Sequence, residues 1–470
     1  MNRHYKACVL MVGMSLITQN AFSLTLDEYL AQVMDKHEGV KSARMNSEGA
    51  GKRSEGGNLI FSTRFFAQAD YTDDQRITAA PAFQGTQTRV RNYEAGFSKK
   101  FDFGMDASLS YKQSRYQLKG VDTNIVRFFD YYDNRPQLQL SQSLWRNWLG
   151  KESQATANVQ NKQAEALKFD ESFRAKSILA EAENAYWNVV QARSFLAVQK
   201  ETVNRAEKIN GANERKTRLQ LTDRIDLLQS SASLDFRRLQ LQNAEQNLQK
   251  AERYFNRLRG DENFAVSDEL SNIQNLNVAM MTVPPRVDVR DDVKAALART
   301  ELTKSQVELA IEQTKPTLEV FGTLSTNGRD NNYSKSYDQG MTDKYTNNSI
   351  GIRFNAPLDF GLVRDTADGY KMQEVAARHD YNRKKFDQDR EYDDLVRRFE
   401  DTKARLGLAQ KIREAQERKL TYERTRGNKG LTTTFQVLTF EQDFNDSEIE
   451  LLNAETQLVN LYTQLKLFSP

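Results

Sequence analysis

The sequence predicts an α+β membrane protein, internally duplicated, in which a transmembrane β-barrel is continued by long coiled-coil helices. Three observations predict it. Leu221-Thr222-Asp223-Arg224-Ile225-Asp226-Leu227-Leu228 returns about 210 residues later as Leu431-Thr432-Thr433-Thr434-Phe435-Gln436-Val437-Leu438, and Asn243-Ala244-Glu245 returns at the same offset as Asn453-Ala454-Glu455. A repeat of that length is a whole fold unit rather than a solenoid module. The seven prolines leave residues 137–283 and 358–469 free of proline, so helices can run long there. Short segments of two-residue periodicity precede each of these tracts.

The elements follow in order. Residues 1–23 carry basic Arg3 and Lys6, an apolar run from Ala7 to Ile17 and small residues before Leu24, the pattern of a secretory signal peptide. The one cysteine, Cys8, lies inside this leader, so no disulfide framework is expected in the remaining chain. The first repeat spans 24–260: a helix over 24–54, strands over about 61–144, a long helix, a tip near 220 and a returning helix. Phe65, Ala67 and Ala69 alternate with Phe66, Gln68 and Asp70, and Tyr93, Ala95 and Phe97 alternate with Glu94, Gly96 and Ser98. Leu138 and Leu140 alternate with glutamines, as strands of an outer-membrane barrel do.

The long helices carry heptad-like seams. Ala185, Val189, Ala192, Leu196, Gln199, Val203 and Ala206 are spaced by three and four, as are Leu241, Ala244, Leu248, Ala251, Phe255 and Leu258. A helix from about 151 to 215 would reach roughly 100 Å at 1.5 Å per residue. A connector over 261–287 ends in Pro284-Pro285 and Val287. The second repeat, 288–470, then gives a helix to Lys315, strands over about 316–358, and seams through Leu395, Phe399, Thr402, Leu406 and Leu451, Ala454, Leu458, Leu461, Leu465.

Composition narrows the chemistry. Cleavage would take Arg3 and Lys6 from 67 basic residues, leaving near balance with 64 acidic ones, so nucleic acid is not an expected partner. Beyond the leader, His37 and His379 stand alone, without histidine or cysteine at metal-ligand spacing, and no cofactor or enzymatic activity is expected. Gly49-Ala50-Gly51-Lys52-Arg53-Ser54 lacks both the first glycine and the hydroxyl residue of a phosphate loop. Past the leader no apolar run reaches about 18 residues, so any crossing of a membrane must be made by a barrel.

Leu140-Ser141-Gln142-Ser143-Leu144 and Asn355-Ala356-Pro357-Leu358-Asp359-Phe360-Gly361 resemble the strand-to-helix junction of the TolC-like outer-membrane efflux and secretion channels, and Gly430-Leu431-Thr432 before Phe435-Gln436-Val437-Leu438 resembles their periplasmic tip. The duplicated arrangement resembles that family over some 440 residues. The resemblance implies a homotrimer, with one barrel in outer-membrane lipid of a Gram-negative-type bacterium and an α-helical tunnel through the periplasm. It also implies two partners, a periplasmic adaptor (membrane fusion protein) and an inner-membrane transporter. The cargo, whether drug, metal ion or unfolded polypeptide, stays open.

Candidate site residues follow. Asp223, Arg224 and Asp226 of the first tip, with Gln436 and Thr439 at matching positions of the second, are candidates for the entrance gate. Asp223 and Asp226 have a second reading as helix-capping residues. The family's acidic ring and the basic latch residue near Thr432 are absent. Leu221, Thr222, Gly430, Leu431 and Thr432 are adaptor-docking candidates, with a helix C-cap as the plain alternative for Gly430. Phe101, Phe103, Trp145, Trp148 and Phe360 stand at strand ends, where interfacial aromatics belong, with packing between helices as the alternative for Trp145 and Trp148. The family has four strands per protomer, yet Arg91–Phe101 and Met105–Gln117 form an extra hairpin turning at Asp102-Phe103-Gly104. That hairpin is an elaborated external loop or a strand continuation, or else a six-stranded contribution to the barrel. The alternative class is a periplasmic adaptor or structural coiled-coil protein without a transmembrane barrel.

Overall fold

The computed structural model describes residues 24–271 and 278–469; the expected leader lies outside the described residues. In chain order the elements are α1 (Leu26–Lys36), α2 (Glu38–Lys52), β1 (Arg64–Asp74), the short α3 (Pro81–Gln84), β2 (Gln87–Lys100), β3 (Met105–Lys119), β4 (Asp130–Ser143), α4 (Lys151–Arg218) and α5 (Arg224–Leu258). They continue with α6 (Asp291–Thr314), β5 (Thr317–Thr326), β6 (Gly328–Asp330), α7 (Tyr333–Gly340), β7 (Thr346–Asn355), α8 (Phe360–Asn428) and α9 (Thr434–Lys466). Two compact units result. One holds the residues up to Ser42, Arg174–Asp288 and the chain from Arg390; the other holds Ala43–Phe173 and Val289–Asp389.

The first unit is helical. Thr25 opens α1 with a capping box: its hydroxyl accepts from the Glu28 amide at 3.3 Å while the Glu28 carboxylate accepts from the Thr25 amide at 2.9 Å. The helix expected over 24–54 is two helices, because His37 leaves helical geometry at φ −72°, ψ 112°. Tyr29 then stacks on Phe255 of α5 with ring centroids 4.0 Å apart and donates its hydroxyl to the Phe255 carbonyl at 3.1 Å. The buried Tyr186 hydroxyl donates to the Leu24 carbonyl at 2.7 Å and accepts from the Ser271 amide at 2.9 Å, which ties the connector to the residues just before α1. Around them the seam residues Val189, Leu258, Phe399, Leu406, Leu458, Leu461 and Leu465 are buried in one cluster. Each such side chain contributes roughly 1.5–3 kcal/mol on burial.

The second unit is built on an antiparallel sheet of order β1-β2-β3-β4-β5-β7, with β6 pairing on β4 beside β5. Register sorts the side chains cleanly. Phe65 faces Phe97, Phe97 faces Leu109, Leu109 faces Leu138, Leu138 faces Leu324, and Gly322 in the same strand faces Ile350. These residues share one face because opposed residues on paired strands point the same way. The opposite face carries Gln68, Glu94, Lys112, Gln137 and Thr323.

Between β5 and β7 the polar stretch 327–345 contains β6 and α7. Asn332 caps α7 by accepting from the Ser334 and Lys335 amides. The buried Ser336 accepts from Asn134 at 2.8 Å and lies 2.7 Å from the Gly328 carbonyl. Tyr333 and Tyr337 meet Tyr132 and Tyr111 edge-on. An eight-residue helix held by such tertiary contacts leaves no long periodic signal in sequence.

Candidate functional site

The two tips are the same structure built from different residues. In each, the fifth residue after a helical carbonyl bonds back to it: the Leu221 amide to Lys216 O at 2.9 Å and the Leu431 amide to Arg426 O at 2.9 Å. The residue before each leucine is left-handed, Gln220 at φ 55° and Gly430 at φ 74°. This is a helix C-terminal cap closed by a left-handed residue, and glutamine occupies it at a cost that glycine avoids. The next helix then starts on a side-chain cap in each case. Asp223 accepts from the Ile225 amide at 3.3 Å, and Thr433 accepts from the Gln436 amide at 3.2 Å.

These facts locate every gate candidate. Asp223 is the N-cap of α5, Arg224 is the exposed first residue of that helix, and Asp226 accepts the Thr222 hydroxyl at 2.6 Å inside its own tip. Gln436 and Thr439 are exposed on the first turns of α9, and the Thr439 hydroxyl is spent on the Phe435 carbonyl at 2.9 Å. Asn213 joins the tips, donating to the Asp226 carbonyl at 3.4 Å and accepting the Thr434 hydroxyl at 3.5 Å. The docking candidates Leu221 and Leu431 are 72 % and 62 % exposed, and Ile225 and Phe435 one turn later are equally open. Thr432 turns inward to Glu423, a buried carboxylate that also takes Arg426 at 3.2 Å.

The charged centre lies a few turns above the tips and contains none of the gate candidates. Glu441 of α9 accepts from Arg205 of α4 at 3.1 Å and from Arg424 of α8 at 2.7 Å. Arg205 also approaches Glu448 at 3.7 Å and lies over the Phe444 ring at 5.5 Å. Burial raises the Glu448 carboxyl above the usual carboxylate range against the pull of Arg205 and Arg413, and burial lowers the neighbouring Arg237. An open pocket of about 400 Å³ adjoins this cluster, lined in part by Arg205, Asn213, Arg424, Thr432, Val437 and Glu441. In sequence these residues are ordinary charges on helices. The available signal was Glu441 and Arg205 falling beside the seam, where solvent cannot satisfy them.

At the junction of sheet and helices the backbone is tightly specified. Asn147 and Leu149 adopt φ 59° and 54°, and the Asn147 side chain accepts from the Ser153 amide at 3.0 Å to start α4. Trp145 and Trp148 flank this turn and are 48 % and 44 % exposed, so neither is packed between helices of the chain. Phe103 is exposed beside Phe101, with centroids 5.3 Å apart, and Phe360 stands open at the first residue of α8.

Residues 288–468 match the outer membrane efflux protein family. No curated protein matches the sequence. Among solved structures, the fold is similar to the Campylobacter jejuni CmeC outer membrane channel (TM-score 0.68, 15% identity, covering 94% of this chain and 84% of that one). It is similar also to the outer membrane protein VceC of Vibrio cholerae (0.67, 16%, 94% and 95%) and to the open-state MtrE outer membrane channel of Neisseria gonorrhoeae (0.66, 13%, 94% and 88%).

Proposed function

We propose that this chain, whose residues 288–468 match the outer membrane efflux protein family, is an outer-membrane export channel that reaches into the periplasm and conducts cargo passively. The observation that carries this is the sheet. It has one apolar and one polar face, and its outermost strands β1 and β7 have free edges. Free edges in lipid leave backbone groups unsatisfied at several kcal/mol each, and closure on neighbouring copies removes them. Strand direction alternates from β1 to β7, so β7 of one copy meets β1 of the next antiparallel. A homotrimer is the assembly we adopt, with the helices of three copies forming the tunnel.

In this scheme the tunnel entrance is held by Arg205, Glu441 and Arg424 rather than by Asp226, whose carboxylate is engaged within its own tip. The exposed Leu221 and Leu431, each with its apolar neighbour one turn on, are the surface for a periplasmic adaptor that joins the channel to an inner-membrane transporter. Asp223 and Thr433 act as helix caps there. The exposed Trp145, Trp148, Phe103 and Phe360 sit at the headgroup level, with Phe101 tilted against Phe103.

The test is the mass of the purified protein in detergent, followed by current recording in planar bilayers. A trimer that gives stable conductance supports the channel. A monomer that never inserts would return the chain to the adaptor or scaffold class.

A further inference from the structure

We infer that the hairpin β2–β3 is barrel wall, so that each chain supplies six long strands and three chains close an eighteen-stranded barrel. The inference rests on the trimeric channel proposed above and goes beyond it in strand number and bore.

Three observations carry it. First, β2 and β3 are paired along their whole lengths, fourteen residues of β2 with β3 and eleven with β1, and β3 pairs thirteen residues with β4. A surface elaboration would leave the sheet; this hairpin is its middle. Second, the hairpin carries the same two faces as the other strands. Tyr93, Ala95 and Phe97 continue through Tyr111, Leu109 and Ala107 to Leu138 and Leu140, while Glu94, Ser98, Ser108 and Lys112 occupy the opposite face. Tyr93, Phe97 and Leu109 are each more than half exposed, so the chain leaves this face open along the hairpin, α7 covering it only at Tyr111 and Tyr132. On β2 the apolar residues Tyr93, Ala95 and Phe97 are bounded on the same face by Arg91 and Lys99, whose backbones stand eight steps or about 26 Å apart along the strand and about 20 Å apart along the membrane normal at about 40° of tilt. Third, the turn at Asp102–Gly104 lies at the end of the sheet where α4 begins. Gln154 of α4 donates to the Asp102 carbonyl at 2.9 Å. A Cβ on Gly104 or Gly150 would clash with the backbone of the opposite turn. An external loop would place that turn at the other end, beside the 120–129 connection.

The second repeat has only β5 and β7 as long strands, matching β1 and β4, so the hairpin is an addition to one repeat. At about 4.8 Å between strands and about 40° of tilt, eighteen strands give a backbone diameter of about 36 Å, against about 24 Å for twelve. The polar lumen is wider accordingly and suits bulkier hydrated cargo.

The test is single-cysteine scanning in a Cys8→Ser background of the full chain. A thiol-reactive fluorophore is placed at Tyr93, Phe97 or Leu109 and at Glu94 or Ser108, with Leu140, Ile352, Gln139 and Arg353 as references in β4 and β7. In liposomes containing brominated acyl chains, we expect several-fold quenching at Tyr93, Phe97, Leu109, Leu140 and Ile352, and little at the other four. On intact cells a bulky maleimide of about 5 kDa should label Asn124→Cys and not Asp102→Cys. Alternation at the β4 and β7 references with none in the hairpin, or labelling of Asp102→Cys from outside, overturns the six-strand wall and leaves the channel standing. Loss of alternation at the references as well overturns the channel proposal itself.

Discussion

Replacing Glu441 with glutamine removes one charge from the place where α4, α8 and α9 are joined. The Arg205 and Glu441 side chains are 11 % and 8 % exposed, so their attraction is little screened, and taking away one partner leaves a guanidinium facing low dielectric. Breaking such a pair costs about 3–5 kcal/mol when nothing replaces it. Two features reduce the figure here: Arg205 keeps Glu448 at 3.7 Å, and Arg424 is 40 % exposed and can hydrate. We therefore expect about 2 kcal/mol, which shifts a closed-to-open equilibrium at the tip about thirtyfold. The assay is open probability of single channels in planar bilayers, with Glu450→Gln as control. Arg405 and Glu450 approach more closely, at 2.6 Å, but are 57 % and 45 % exposed, so their pair is worth less than about 1 kcal/mol and its loss should leave gating unchanged. Equal open probability in wild type and the Glu441→Gln variant, both properly assembled, would refute the idea that this cluster holds the entrance.

Gly430→Ala forces a Cβ onto a φ of 74° with no atom within 4 Å of it, so the cost is purely conformational, about 1 kcal/mol, and Gln220→Gly should stabilise its own tip by a similar amount; hydrogen exchange at the Leu221 and Leu431 amides reads both signs. Glu455 is buried on α9 with one carboxylate oxygen unpartnered, and burial raises its folded-state pKa. Because the folded chain then holds this proton to higher pH than the unfolded one, stability from this group falls as pH rises above the ordinary carboxylate range. Glu455→Gln should thus raise the melting temperature at pH 8 and change it little at pH 4; a lower value at pH 8 would contradict this. Ser336→Ala strands the Asn134 amide at a buried site, costing about 1–3 kcal/mol, and limited proteolysis should cut 327–345 faster.

The repeat and the seams are legible because they are periodic. Leu458, Leu461 and Leu465 must be buried whatever the helix packs against, and the tip residues recur in order. Strand alternation was also legible, yet the fate of the β2–β3 hairpin was not, since a two-residue period looks alike in a barrel wall and in a long surface hairpin. Only the register of Phe97 on Leu109 and the contact of Asp102 with Gln154 separate the two. Position in the repeat identifies residues at a tip but not their partners. Asp226 and Thr222 are four apart and satisfy one another locally, whereas Arg205 and Glu441 are brought together across most of the helical sequence.

The distribution of packing within the helical unit suggests why the entrance would be held by charge. The large apolar cluster draws on Tyr29, Tyr186, Phe255, Phe399 and Leu458, whereas toward the tips the remaining buried apolar cluster is small, formed by Val203, Ala206 and Leu234. An apolar seam weakens gradually as helices part, since its energy follows buried area. A buried ion pair instead has two satisfactory arrangements, paired or hydrated, with a costly state between them. Helices anchored by the large cluster and latched at Glu441 would therefore open at the tip while the anchored end stays packed. Moderate warming, which strengthens apolar contacts, should not restore closure in the Glu441→Gln variant, because no large apolar contact replaces the latch; recovery of wild-type closure in Glu441→Leu would show instead that volume, not charge, holds the helices together.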